Sequence, residues 1–370
     1  MRKDPLFSVI ISCYNARPYI ATVLGSLTKQ GLRKDELEVI ISDDKSTENY
    51  FDIVESFSKK LNIKIVEADH NWGYPAHTRQ QGVEQATGEW IIFSDQDDAF
   101  AKNAFKKTKK YIRENRPMYF IKGFVYIGFL TSKQLMDDMP YGSTNITHAV
   151  FFNRKNLWEK FDIKYPYEDI KLEEDSEIVA EMACLEEKGL ITVNISGIDT
   201  YYWYMNQDSI AHNISKKGEN RLSTEKVFHW YIRAIKYATD KWYNRGIVDL
   251  QYVIDDYVYL LIYTYVVINK FEFSNKMNFL ESLDLVYIEI AGILKFLYKH
   301  MIKEDLITLV YSKENIKAYN GVISDLTRLN DRLIEFQPFP MYTFPEFLDK
   351  VETYFDKVED KRDDEKNNQC

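Results

Sequence analysis

The amino-acid sequence predicts an α/β protein: a sheet of parallel βαβ units with helices on both faces, followed by a mostly α-helical C-terminal domain. Two observations predict this. Short apolar, β-rich runs alternate with helical periodicities through the first hundred residues. From about Arg221 strand signals fade, and helical periodicities dominate to about Phe336. Strands alternating with helices of this length pack as a parallel sheet covered on both sides.

Phe7–Ser12 is the first apolar run. Pro18 then suits a first helical turn, with Ile20, Val23, Leu24 and Leu27 following at helical spacing. Leu37–Ser42 is a second strand, and Phe51, Val54, Phe57 and Leu61 mark a second helix. Ile63–Val66 is a third strand, Pro75–Ala86 a helix ending near Gly88, and Trp90–Phe93 a fourth strand. After Asp98 the spacing of Ala101, Ala104, Phe105, Thr108 and Ile112 predicts a helix to about Asn115. From Met118 to Phe152 the pattern is mixed and strand-like, with a loop expected around Met139–Ser143. Ile178, Val179, Met182 and Leu185 mark a further helix closed by Gly189. Ile191–Ile195 and Thr200–Met205 read as two strands. The expected organisation is an α/β domain over 1–218, a helical domain over 219–355 and a flexible tail over 356–370.

The bulk composition bounds the function. The 370 residues, 45% of them hydrophobic, suffice for a full core and two domains. A formal net charge of −9 argues against non-specific nucleic-acid binding, which needs a dense basic face. Cys13, Cys184 and Cys370 are odd in number and lack C-x-x-C spacing, against a disulfide scaffold or a zinc site. The N-terminus carries no signal-peptide pattern, and the apolar run Val258–Ile268 is far short of the ~20 residues of a spanning helix. The expectation is a cytoplasmic protein, with the inner face of the membrane within its reach through the C-terminal helices.

In parallel sheets ligands bind beyond the carboxyl ends of the strands. Four strand ends here run into polar clusters: Ser12, Cys13, Tyr14 and Asn15; Asp43 and Asp44 before Ser46; Asn71-Trp72-Gly73; and Asp95-Gln96-Asp97-Asp98. Asp95 and Asp97 close an apolar strand. Two neighbouring carboxylates repel unless a cation lies between them. A hard divalent ion that also grips a diphosphate fits, since Mg²⁺ takes one or two carboxylates plus phosphate oxygens. Asp43 can accept from a base N–H or a ribose hydroxyl; acidic residues ahead of a helix also simply complement its dipole. Arg79 can reach a phosphate or hold an aspartate of the metal loop, and a surface ion pair is the plain alternative. No phosphate-cradling glycine-rich loop and no G-x-G-x-x-G is present, which disfavours a dinucleotide enzyme.

These motifs have a familiar order. Ser8–Asn15, Ser42–Glu48, Asn71–Gly73, Ala76–Gly82, Ala86–Trp90 and Asp95–Asp98 resemble the successive motifs of family 2 glycosyltransferases of the GT-A fold. A looser likeness continues through His148–Arg154 and Glu173-Glu174-Asp175 to Tyr201–Tyr204 and Ser209. The resemblance implies a Rossmann-like mixed sheet flanked by helices. It also implies inverting transfer from a UDP-sugar with Mn²⁺ or Mg²⁺, and a glycan, polymer or protein side chain as acceptor. Ser12, Tyr14, Asn15, Asp43, Asp44, Asn71, Arg79, Asp95 and Gln96 would then line the donor site. Asp97 and Asp95 would hold the metal, with His212 where some relatives carry a ligand. The resemblance places the general base at Asp175, with Glu174 beside it; Glu173 leaves the register of that cluster open. Gln80 departs from the Asn common after the Arg, and Trp203-Tyr204-Met205 departs from the usual Tyr-Arg pairing. The C-terminal helices would bind acceptor, form a homo-oligomer or make peripheral membrane contact.

Two rival readings differ in chemistry. A nucleotidyltransferase also pairs aspartates on a metal but follows its first strand with a glycine-rich Arg loop, where this chain has Ser12-Cys13-Tyr14-Asn15. An inactive sugar-nucleotide-binding scaffold is opposed by the presence of Asp95, Asp97, Glu174 and Asp175.

Overall fold

Phe7–Cys13 (β1), Leu37–Asp43 (β2), Asn62–Glu67 (β3) and Trp90–Asp95 (β4) are the four parallel strands that the apolar runs predict. They belong to the structure, a computed structural model, which describes residues 4–128, 130–131, 134–135, 139–141, 149–165, 174–204, 224–273, 279–312, 334–336, 343–349 and 351–353. The chain divides into two units, 1–221 and 222–370.

In the first unit the helices Ile20–Leu27 (α1), Phe51–Phe57 (α2) and Pro75–Gln85 (α3) connect the parallel strands. Ala99–Phe100 (β5) and Ala104–Asn115 (α4) follow, then Phe120–Gly128 (β6), Leu130–Thr131 (β7), Gln134–Leu135 (β8), Met139–Tyr141 (β9) and Val150–Asn153 (β10). Glu174–Glu187 (α5) and Val193–Tyr204 (β11) complete the unit. The main sheet runs β3-β2-β1-β4-β10-β6-β11-β5, with β9 added on β6. β10 is antiparallel to both β4 and β6, so the sheet is mixed.

The register decides where the chemistry sits. Ser12 pairs with Ser42 on one side and with Asp95 on the other, and Cys13 pairs with Asp43. The carboxyl ends of β1, β2 and β4 therefore finish level, and their polar residues emerge at one edge. Burial fixes this register, because β1 and β2 are buried on both faces and a slip would expose apolar side chains. One layer of core joins Val9, Ile11, Val23, Leu24, Phe105, Phe151 and Tyr201.

Glycine brings α3 onto β1. A Cβ on Gly82 would stand 2.3 Å from Ile10 Cγ2, with Ile10 fully buried. Pro75 opens the helix at its first turn, where a missing N–H costs nothing. Glu38, itself buried, anchors the Thr87–Gly88 turn by accepting from both backbone N–H groups at 2.6 and 3.0 Å.

Three local departures from the sequence reading have physical reasons. Helix α4 begins at Ala104, because Ala99–Phe100 is drawn off to pair antiparallel with Tyr201–Tyr202. The expected loop at Met139–Ser143 contains a strand, Met139–Tyr141; among the described residues β9 pairs with β6 alone, an edge position at which Pro140 is tolerated. The two strands expected between Ile191 and Met205 are one strand with register shifts around Ser196–Thr200, where Gly197 takes a positive φ of 65°.

The second unit is built on the helices Thr224–Asn244, Leu250–Lys270, Phe279–Leu297 and Lys303–Val310. Trp242, Tyr257, Leu260, Ile290 and Leu297 are buried among them. A two-stranded pair, Phe271–Phe273 with Ile334–Phe336, interrupts the helical pattern. The apolar run Val258–Ile268 lies inside Leu250–Lys270, and among the described residues no helix is long and apolar enough to cross a membrane.

Substituting Gly82 by Ala is expected to destabilise the protein by about 1–3 kcal/mol, the scale of overpacking a filled core. Urea denaturation measures it; an unchanged midpoint would show that α3 and β1 can separate freely.

Candidate active site

The ends of the strands are tied together by their own polar side chains. Asn15 takes a left-handed φ of 50°, and its Oδ1 accepts from the N–H groups of Thr47 and Glu48 at 2.9 and 3.1 Å. Asn tolerates that conformation better than most residues. In return the Asn15 N–H donates to Ser46 Oγ at 2.8 Å. Asp43, buried at the end of β2, accepts from the Ser46 N–H and hydroxyl at 2.7 and 2.6 Å and from the Tyr50 hydroxyl at 2.6 Å. Burial, with the neighbouring Cys13 and Asp43, drives the Tyr50 phenol far above its ordinary range, so it stays a donor. Burial, followed by the charge of Asp43, likewise pushes the Cys13 thiol up. Asp43 thus stands at the predicted edge with its carboxylate already holding the loop.

Asp44 grips the next loop. Its two oxygens accept from the Trp72 and Gly73 N–H groups at 2.8 and 2.9 Å, and its carbonyl accepts from Asn71 Nδ2 at 2.9 Å. Burial raises its pKa, and the two N–H bonds work against that rise. Gly73 carries a φ of 79°, which its lack of a Cβ permits. Trp72 lies flat on His77, with ring centroids 3.7 Å apart and planes 9° apart. Ser12 shares a hydrogen bond with Thr78 at the start of α3. Tyr14 presents an exposed ring, while its backbone is paired both ways by Gln96: Tyr14 N–H to Oε1 at 2.8 Å and Nε2 to Tyr14 O at 3.0 Å.

Arg79 joins two carboxylates that lie 80 residues apart in sequence. One terminal nitrogen donates to Asp95 Oδ1 at 2.8 Å and the other to Asp175 Oδ1 at 2.9 Å. Its side chain is only 3% exposed, against 36% for Asp95 and 24% for Asp175. The guanidinium also lies over the Tyr165 ring, 5.8 Å from its centroid, and the Tyr165 hydroxyl points to Asp175 Oδ1 at 3.4 Å. Gln80 positions that tyrosine by accepting its backbone N–H at 3.1 Å. The residue that departs from the family pattern therefore serves the same cluster.

Asp98 anchors the other side of the aspartate loop. Buried at 1% exposure, it accepts from the Tyr201 hydroxyl at 2.7 Å and the Tyr204 N–H at 2.8 Å. The same Tyr201 oxygen accepts the Asp95 N–H at 3.0 Å. Burial, reinforced by Asp98, holds the phenol well above its usual range and therefore neutral.

The structure brings Ser12, Tyr14, Asn15, Asp43, Asp44, Asn71, Arg79, Asp95, Gln96 and Asp97 to one sheet edge, and Arg79 adds Asp175 to it. Glu174 opens α5, but its side chain, Glu173 and His212 lie outside the described residues. Sequence reasoning missed Tyr165, Thr78 and the structural role of Tyr50. Tyr165 carries no local signal, since it acts through α3. Among the described residues no group of three or more His, Cys, Asp or Glu forms a protein-only metal cage. Asp95 and Asp97, both partly exposed on one turn, fit instead a divalent ion shared with a ligand's diphosphate.

The mixed α/β sheet is of GT-A type. Residues 8–170 match the model of Glycosyl transferase family 2. Among curated relatives, the poly(ribitol-phosphate) β-N-acetylglucosaminyltransferase TarS of Staphylococcus aureus is 40% identical over 109 residues, 30% of this chain and 19% of TarS. The poly(ribitol-phosphate) β-glucosyltransferase of Bacillus spizizenii is 34% identical over 110 residues, 30% of this chain and 17% of that enzyme. The matched stretches are thus about a fifth of those relatives' lengths. In three dimensions, S. aureus TarS residues 1–349 in complex with UDP-GlcNAc superposes with a TM-score of 0.57 at 21% identity, covering 91% of this chain and 99% of that one. That likeness shows the fold.

Tyr201→Phe removes the hydroxyl from the buried Asp98 and from the Asp95 N–H. A loss of about 1.5–3 kcal/mol is expected, the worth of a hydrogen bond to a charged group. Denaturant unfolding of the variant tests this, and wild-type stability would mean that the hydroxyl holds nothing.

Proposed function

We propose that this chain transfers a sugar from a UDP-sugar to a hydroxyl of a polyol-phosphate or glycan polymer, with inversion at the anomeric carbon. The observation that carries the reading is the single guanidinium that spans Asp95, at the predicted donor edge, and Asp175, the predicted base. Support for the donor comes from the family match and from a related fold that holds UDP-GlcNAc. Support for the acceptor comes from two relatives named for poly(ribitol-phosphate).

In this reading the exposed Tyr14 ring stacks on the base, and the exposed Asn71, on the loop that Asp44 holds, presents the polar edge that recognises it. Asp43 acts mainly by holding the loop that carries Asn15 and Ser46. Asp97 and Asp95 would hold Mn²⁺ or Mg²⁺ against the diphosphate; the ion's contribution, when bound, is to neutralise charge developing on departing UDP. Asp175 takes the proton from the attacking hydroxyl as the new bond to the anomeric carbon forms. It stands in the first turn of α5, and Arg79 aims one of its oxygens. Glu174 would assist in orienting the acceptor.

UDP release from UDP-GlcNAc and UDP-glucose, with Mn²⁺ or Mg²⁺ and a poly(ribitol-phosphate) acceptor, tests the reading. Asp97→Ala should abolish metal-dependent UDP binding. Asp175→Asn should bind UDP normally while kcat falls by about 10²-fold or more, the scale of lost general-base help. Full activity in excess EDTA, or near wild-type turnover by Asp175→Asn, would contradict it.

A further inference from the structure

The charge of this chain is distributed against its average. Formal net charge is −9, yet between Lys102 and Arg116 the sequence places seven basic side chains and one acidic one, Glu114. That segment is α4 and its flanks. Ala104, Phe105 and Thr108 are buried and bind the helix to the core. The opposite face is basic. Lys106, Lys110 and Arg113 recur at helical spacing, and Lys102, Lys107 and Arg116 extend the stripe; all six are exposed. Successive i, i+3 and i, i+4 positions share one face, so the cations from Lys106 to Arg113 form a row ~10 Å long.

Nearby acids are already matched elsewhere. Glu36 is paired with Lys109, Asp35 with Arg33, and Glu114 faces Lys110 at 3.7 Å. Lys102, Lys106, Lys107 and Arg113 keep a surplus of positive charge facing solvent. Like charges along a helix cost stability rather than add it, so the fold does not explain the row.

We propose that the exposed face of α4 docks the protein on an anionic membrane surface. Charge complementarity supports it: clusters of four to eight basic residues on an amphipathic helix bind anionic lipid, each worth roughly fivefold in affinity near the surface. Met118 distinguishes a bilayer from a soluble polyanion. It stands 56% exposed just past the row, beyond Arg116 and Pro117. An exposed methionine beside a basic row suits a lipid interface, which buries apolar side chains, better than a flexible polyanion, which leaves them in water. The apolar face of α4 is committed to the core, so the helix lies on the surface without inserting, and the attachment is reversible and sensitive to salt. This contact uses the first unit and not the C-terminal helices.

Flotation of the full chain with phosphatidylglycerol-containing vesicles, against pure phosphatidylcholine vesicles, tests the proposal. Binding to the anionic vesicles alone is expected, with loss at high salt. Lys102→Gln, Lys106→Gln, Lys107→Gln and Arg113→Gln combined should weaken it by about a hundredfold or more. Lys102→Arg, Lys106→Arg and Lys107→Arg combined should retain it, with circular dichroism melting as the check on folding. Equal binding to neutral vesicles, equal binding by the glutamine variant, or retention on polyphosphate without flotation would each overturn the proposal. UDP binding is read separately, so failure of the transferase reading and failure of this one are distinguishable.

Discussion

Two aspartates of like charge share one guanidinium, and the site is organised around that fact. Arg79 is almost fully buried between Asp95 and Asp175. An arginine suits the task because its rigid fork can address two carboxylates at once and never loses its proton. Much of the fold serves to deliver it. Gly82 lets α3 settle against β1, Pro75 starts the helix, and Gln80 sets Tyr165 against the guanidinium. That cation offsets the repulsion between Asp95 and Asp175.

The surrounding loops follow a common economy. Beyond the ends of β1, β2 and β4 stands a residue whose side chain satisfies a neighbouring stretch of backbone: Asn15 for Thr47 and Glu48, Asp44 for Trp72 and Gly73, Asp98 for Tyr204. These hydrogen bonds stand in for the ladder that stops where the sheet ends. They also preorganise the edge, so that little ordering remains to be done when a ligand arrives. Several motif residues that read as ligand contacts in the sequence are braces of the loops at this edge.

The centre of the sheet was legible because β1, β2 and β4 are buried on both faces and so read as unbroken apolar runs, from Val9–Ile11 to Ile91–Phe93. The level strand ends followed from their polar clusters. What stayed hidden depends on distant partners. Ala99–Phe100 has helix-compatible residues and becomes a strand only because Asp98 fastens Tyr201 and Tyr204 beside it. Tyr165 carries no motif and acquires its place from Gln80. The Arg79–Asp175 pair spans 96 residues and no local pattern encodes it. Asp43 was legible as a functional position, but its bonds to Ser46 and Tyr50 were not, since they need the positive φ at Lys45 that tightens the loop.

The central claim is that Arg79 and Asp175 act as one unit. A double-mutant cycle on kcat, with Arg79→Met, Asp175→Asn and the combination, tests it most directly, since contacting residues show coupling that independent ones lack. The account predicts that each single variant loses turnover and that the double variant is no worse than Asp175→Asn by more than about threefold. Losses that simply multiply would show that Arg79 and Asp175 work independently and would contradict the account.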